Sequence, residues 1–176
     1  MAQPGKLNLA LMDELVSDIV LVAEEDIERA MDLLITIEKT VTEGAGAAGL
    51  AALLAYPERI QGRTVGLILC GGNIDTRMLS SILMRGLVRQ GQITRMRVEI
   101  TDRPGTLAKV AQLVGDAGGN ILEVQHQRNF PGVPAKLAEL DLVVETRDRD
   151  HIREITDALS AVGYKVRELI DTPDAG

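Results

Sequence analysis

Aromatic side chains are scarce: the 176 residues include two Tyr, one Phe and no Trp. Base stacking depends on such rings, so single-stranded nucleic acid is a poor match as a partner, and the core has to be assembled from Leu, Ile, Val, Ala and Met. Cysteine is reduced to Cys70. A single thiol excludes an internal disulfide and a cysteine-built zinc site, and it suits a reducing compartment. Basic charge is also short, with 19 Lys and Arg against 26 Asp and Glu for a net charge of -7. The basic footprint that nucleic acid requires is missing. No apolar run approaches the roughly 18 residues of a membrane span, and the stretch from Met1 to Ala10 lacks the charged start and apolar centre of a secretory signal. The expectation is a cytoplasmic protein with neither nucleic acid nor membrane as a partner.

What is present is the make-up of a folded globular chain, 45% apolar and 26% charged, long enough for one medium domain or two small ones. Asp18 to Ala23 and Thr64 to Leu69 are short continuous apolar runs, the pattern of strands covered on both faces. A helix is expected after the first, because Glu24, Glu25 and Asp26 suit the positive end of a helix dipole and Ile27, Met31, Leu34, Ile35 and Ile37 approximate a helical stripe. These three acidic residues read as a solvated helix start rather than a metal site. Thr42 to Ala55 is built almost entirely of small residues. Each Gly weakens a helix by about 1 kcal/mol relative to Ala, so such a helix belongs where a neighbouring backbone or ligand comes close. Asp75 to Leu87 is expected to be helical.

After Gly91 the pattern changes. Thr94 to Thr101 alternates polar and apolar, as does much of Leu137 to Thr146, which marks a sheet with one wet face. Between them Pro104, at an expected first helical position, opens a helix that Gly118 and Gly119 end. Asn120 to Arg128 is expected as a strand, Arg149 to Val162 as a helix and Tyr164 to Leu169 as a final strand. The order βαββαβ is a split βαβ unit, with helices on one antiparallel sheet.

Two passages carry a resemblance. Thr42-Glu-Gly-Ala-Gly-Ala-Ala-Gly49, followed by Leu69-Cys-Gly-Gly-Asn-Ile-Asp75, resembles the C-terminal part of the catalytic domain of the threonine dehydratases (threonine ammonia-lyases), which are fold-type-II pyridoxal-phosphate enzymes. Thr101-Asp-Arg-Pro-Gly-Thr-Leu107, with Gly118-Gly-Asn-Ile-Leu122, resembles the amino-acid-binding ACT module that follows that domain. The resemblance implies an α/β chain: a partial fold-type-II catalytic domain over residues 1–92, a ferredoxin-like ACT domain over 93–170 and a tail over 171–176. It also exposes an absence. Lys6, Lys39, Lys109, Lys136 and Lys165 do not lie in the family's Ser-x-Lys-x-Arg context, where the cofactor forms its Schiff base, and no separate phosphate loop is present. The chain therefore reads as a C-terminal segment, inactive alone, with pyridoxal phosphate expected in the full-length enzyme and none held covalently here.

For Cys70 the resemblance implies contact with the pyridine nitrogen of the cofactor. The residues alone also allow a small buried side chain at a strand end; a nucleophile would want a nearby His base, and His126 and His151 both lie in the other domain. Glu43 is implied beside the ring, or is an acidic residue favoured at a helix start. Gly71, Gly72 and Asn73 admit the ring closely or simply make the turn. In the ACT module, Asp102, Arg103, Pro104, Gly105 and Thr106 lie where free N–H groups at a helix start can hold a carboxylate, with Asp102 alternatively a helix cap. Leu107, together with Gly119, Asn120 and Ile121 of a paired module, is implied to line an apolar pocket for isoleucine or valine. His126 reads as a partly exposed strand residue. Homo-oligomers through the ACT domains are expected. The competing reading is a catalytically silent, amino-acid-sensing ACT regulatory protein.

Overall fold

The structure is a computed structural model that describes residues 5–127 and 137–169. It divides into two compact units, residues 1–82 and 83–176. The expected tail over 171–176, Arg128 and Lys136 lie outside the described residues.

In the first unit, helices α1 (Lys6–Leu15), α2 (Glu24–Thr36) and α3 (Gly44–Ala55) are followed by a single 3-10 turn (Pro57–Arg59) and by α4 (Thr76–Arg89), which runs on into the second unit. Glu24, Glu25 and Asp26 occupy the first turn of α2 as expected. Ala30, Met31 and Leu34 of α2 pack against Ala47 and Ala51 of α3 and Ile82 of α4, forming a small core. Asp75 caps α4, its Oδ1 accepting from the Arg77 and Met78 N–H groups at 3.0 and 3.1 Å. Helix α1 buries none of its residues, although Leu7, Leu11 and Leu15 stand at the spacing of a helical stripe.

The two strands expected in this unit do not form. Residues 16–23 and 64–70 carry no regular secondary structure and enter no sheet, and they leave large apolar side chains in the open, Leu21 at 83% and Ile68 at 86%. A buried parallel strand takes its burial and its ladder from neighbours on both sides, and none among the described residues stands there. The first segment is held instead by side chains: the Tyr56 hydroxyl donates to the Leu21 carbonyl at 2.8 Å and Arg59 pairs with Asp18 at 2.6 Å.

The second unit has the expected order: β1 (Ile93–Thr101), α5 (Thr106–Asp116), β2 (Asn120–Gln127), β3 (Leu137–Glu145), α6 (Arg149–Ala161) and β4 (Lys165–Glu168). The sheet is antiparallel, in the order β2-β3-β1-β4. Period-2 alternation sends Met96, Val98 and Ile100 of β1 and Leu140, Leu142 and Val144 of β3 under the helices, where they meet Val110 and Val114 of α5 and Ile155 and Leu159 of α6. Each such side chain contributes about 1.5–3 kcal/mol by leaving water. A bulge between Ile121 and Glu123 changes the alternation of β2. Ile121, opposite Val144, joins the core, while Glu123, Gln125 and Gln127 stand on the other face.

That other face is ionic. Arg97 clasps Asp141 with Nε and a terminal nitrogen at 2.5 and 2.7 Å and reaches Glu139 at 2.9 Å. The Asp141 side chain is only 3% exposed. Behind the sheet, buried His151 accepts the Arg147 N–H at Nδ1 (3.0 Å) and lies 2.8 Å from the Ala117 carbonyl through Nε2. With Nδ1 accepting, Nε2 carries the proton and donates, so the ring joins the start of α6 to the end of α5.

The hydrogen-bonded Arg97 guanidinium holds the Asp141 carboxyl below its ordinary value, against the opposing pull of burial. The folded protein thus binds this proton less tightly than the unfolded chain. The resulting stabilisation is complete above the unfolded value of about 4 and is lost as pH falls through the folded one. Asp141→Asn is expected to destabilise the protein by about 2 kcal/mol, less than the ~3–5 kcal/mol of a fully buried broken pair because Arg97 keeps Glu139. Urea unfolding between pH 6 and 3 is expected to show a shallower acid decline in the variant than in the wild type.

Candidate functional site

The first candidate site is the turn that follows residues 64–69, and the small-residue helix explains its position. Gly46 lies buried in α3 with the Cys70 carbonyl and the Thr42 hydroxyl directly against it, so that any Cβ there would overlap both. The Thr42 hydroxyl donates to the Cys70 carbonyl at 2.7 Å. The Glu43 N–H donates to the Gly71 carbonyl, and the Glu43 side chain covers Gly71, whose φ of +75° suits glycine alone. The close approach inferred from the glycines is therefore an approach of backbone: α3 and the turn at 70–71 are clasped together.

The structure brings Glu43, Cys70 and Gly71 together. A Cβ at Gly72 would lie 3.8 Å from the Val41 carbonyl, ordinary contact, and Gly72 and Asn73 are exposed. The Cys70 thiol is exposed too, which corrects the reading of a small side chain buried at a strand end: no strand forms there to bury it. Thr42 and Gly46 are the parts that sequence reasoning did not single out. Their signal lay in the run of small residues, which announces a close contact without naming the backbone that makes it.

The second candidate site is the start of α5. Here the structure corrects the position of Pro104: the helix begins at Thr106, and Gly105 precedes it as N-cap at φ +84°. A left-handed residue at the cap sets the helix start, and Pro104 belongs to the turn before it, where the Thr106 N–H reaches the Arg103 carbonyl at 3.3 Å. Asp102, Arg103, Pro104 and Gly105 are exposed, Thr106 is buried and Leu107 is partly exposed. Gly119, Asn120 and Ile121 follow the far end of α5. Gly119 is packed so closely that a Cβ would lie 2.8 Å from Ile155 and 2.9 Å from Val114, and Asn120 donates to Glu145 at 2.9 Å. An 11-residue helix, about 16 Å long, separates these two groups within one chain. They are not brought together in a single copy. His126 lies half-buried on β2, and no cluster of metal-ligating side chains occurs among the described residues.

Comparison with known proteins adds to this geometry. Residues 1–71 match the family described as pyridoxal-phosphate dependent enzyme, and residues 94–163 match the ACT domain family. The chain joins a segment of the pyridoxal-phosphate-dependent enzyme family to an ACT domain. It is similar to the L-threonine ammonia-lyases of Thermotoga maritima, 39% identical over 94% of this chain and 41% of the relative, and of Geobacter sulfurreducens, 39% identical over 95% of this chain and 42% of the relative. The chain thus spans about two fifths of the length of these curated relatives. A solved ACT domain from the GTP pyrophosphokinase of Chlorobium tepidum aligns with 44% of this chain and 96% of its own, at 16% identity and a TM-score of 0.35.

The residues of the pyridoxal-phosphate-enzyme segment fit one side of such a cofactor. Cys70 presents an exposed thiol, and Gly72 and Asn73 beside it are exposed. The space over Gly71 is filled by Glu43. The turn carries no lysine, and in the same segment the Lys39 ammonium donates to the Thr36 carbonyl at 2.6 Å. What these residues can do is line and orient a ring.

The clasp makes a direct prediction. Gly46→Ala is expected to drive the turn away from α3 and break the Thr42–Cys70 hydrogen bond, destabilising the first unit by about 1–3 kcal/mol, the usual range for overpacking. The reactivity of the Cys70 thiol toward a maleimide reads the displacement; an unchanged rate with unchanged stability would refute the clasp.

Proposed function

We propose that this chain is the part of a threonine ammonia-lyase that supplies one wall of the cofactor pocket and carries its regulatory ACT domain. The observation that carries the reading is the 39% identity to L-threonine ammonia-lyases across both segments. The reaction is the elimination of water from L-threonine, ending in 2-oxobutanoate and ammonia. Bound pyridoxal phosphate supplies the electron sink for the negative charge that develops on the substrate. Cys70 would face the ring nitrogen with its thiol, which would not enforce protonation there as a carboxylate would, and so would leave the weaker sink that suits loss of the β-hydroxyl. Glu43, fixed by its backbone bond to Gly71, keeps the turn in register beside the ring, and Gly72 and Asn73 border it. The Schiff-base lysine comes from the family's Ser-x-Lys-x-Arg segment, which this sequence does not contain.

In the ACT domain, the effector is a branched-chain amino acid, isoleucine or valine. Its carboxylate meets the turn from Asp102 to Thr106, and its side chain lies against Leu107 and against Gly119, Asn120 and Ile121 of a second copy. The separation of these groups by the length of α5 supports a site shared between copies. A second reading, a catalytically silent amino-acid sensor, is favoured by one observation: the ACT domain closes its own core, whereas the first unit leaves Leu21 and Ile68 largely exposed.

Calorimetric titration with L-isoleucine and L-valine is expected to give saturable heat, weakened about tenfold or more by Leu107→Asp; heat equal to dilution refutes the effector site. With pyridoxal phosphate and L-threonine, the chain alone is expected to yield no 2-oxobutanoate. Supplying a polypeptide with the lysine-bearing segment is expected to restore turnover. Restoration decides for the enzyme over the sensor, and turnover by the chain alone refutes the role given to the missing lysine.

A further inference from the structure

The sheet face turned away from the helices holds a pocket of about 210 Å³, lined by Arg95, Glu123, Gln125, Asp141 and Val143. Its layout follows from the strand register. Arg95 on β1 and Glu123 on β2 both stand opposite Val143 on β3, forming one row across three strands: cation, apolar floor, anion. Two strand spacings put their backbones about 10 Å apart. The next row is Arg97, Asp141 and Gln125.

The second row is already satisfied. Asp141 takes two hydrogen bonds from Arg97 and one from Gln127 at 3.2 Å. The first row is not. Among the described residues, Arg95 has one ion-pair contact, to Asp141 at 3.6 Å, beyond hydrogen-bonding distance, and its side chain is 40% exposed. Among the described residues Glu123 accepts only the Gln125 amide, at 2.7 Å, and meets no cationic side chain. Opposite charges that share one pocket and do not meet leave room for a molecule that carries both. One N–H of the Gln125 amide goes to Glu123, and the amide oxygen is an acceptor.

We propose that this pocket binds a small zwitterion, an α-amino acid, with its carboxylate on Arg95, its ammonium on Glu123 and the Gln125 oxygen, and a short side chain against Val143. The volume is below the roughly 300 Å³ at which pockets for larger ligands begin. The site lies within one chain and shares no residue with the turn at 102–107 or with residues 119–121.

The test follows the amide signals of Gln125 and Val143 by NMR in the full chain during titration with L-threonine, N-acetyl-L-threonine and L-threoninol. L-Threonine is expected to shift both signals saturably. The acetylated compound lacks the ammonium and the alcohol lacks the carboxylate, and each is expected to bind about tenfold or more weakly. Arg95→Gln and Glu123→Gln are each expected to weaken L-threonine to the same degree, while Leu107→Asp leaves its binding unchanged. The absence of saturable shifts at these amides overturns the proposal. So does a loss below about tenfold on removing either charge, whether from the ligand or from the protein. Sensitivity to Leu107→Asp assigns the shifts to the other site and overturns it as well.

Discussion

The pairing of β1 with β3 is the constraint on which the ACT domain rests. Nine consecutive residues pair, from Ile93 with Glu145 to Thr101 with Leu137, and the register settles two faces at once. It sends Met96, Val98 and Ile100 inward with Leu140, Leu142 and Val144, and it sets Arg97 beside Asp141 and Arg95 beside Val143 on the outer side. A slip of β1 by one residue would bring Arg95 and Arg97 under the helices and Met96, Val98 and Ile100 into water. The ionic face and the core are thus two results of one alignment, and the Arg97–Asp141 pair opposes that slip. His151 extends the constraint to the helical layer, because its ring fixes the beginning of α6 to the end of α5 through Arg147 and Ala117.

This alternation is also why the second unit was legible in the sequence. A half-buried strand writes its orientation into every second residue, and the helices carry their own stops, such as Gly118, which follows α5 at φ +88°. Pro104 misled because a proline suits a first helical position yet equally suits a turn, and the left-handed Gly105 decides between them. In the first unit, α2, α3 and α4 were legible from their stripes, their small residues and the Asp75 cap. Residues 18–23 and 64–69 were not. A continuous apolar run records the need for burial on both faces, but it does not contain the neighbours that provide the burial. Helix α1 carries Leu7, Leu11 and Leu15 at helical spacing but buries none of them.

The candidate sites divide in the same way. Motif order pointed to Cys70 and to the turn at 102–107, since such segments are recognised by residue type. The clasp that holds Cys70 in place depends on Thr42 and Gly46, which lie 28 and 24 positions before it, and only the fold shows which backbone occupies the space that Gly46 leaves. The pair Arg95 and Glu123 was equally silent in the sequence. Their common partner, Val143, lies between them in space but after both in the chain, and the bulge before Glu123 alters the face that simple alternation would assign to it.

The length of α5 sets a further consequence for regulation. A ligand that touches Leu107 and Ile121 together must take one residue from each of two copies, because about 16 Å of helix separates them in one. Binding of that kind is linked to assembly: ligand favours the pair, and raising the protein concentration raises the apparent affinity. The row from Arg95 to Glu123 lies inside one chain and carries no such linkage. Two amino-acid sites in one ACT domain would therefore answer to different variables, one to ligand and protein concentration together and the other to ligand alone, and their separate concentration dependence follows from strand register and helix length.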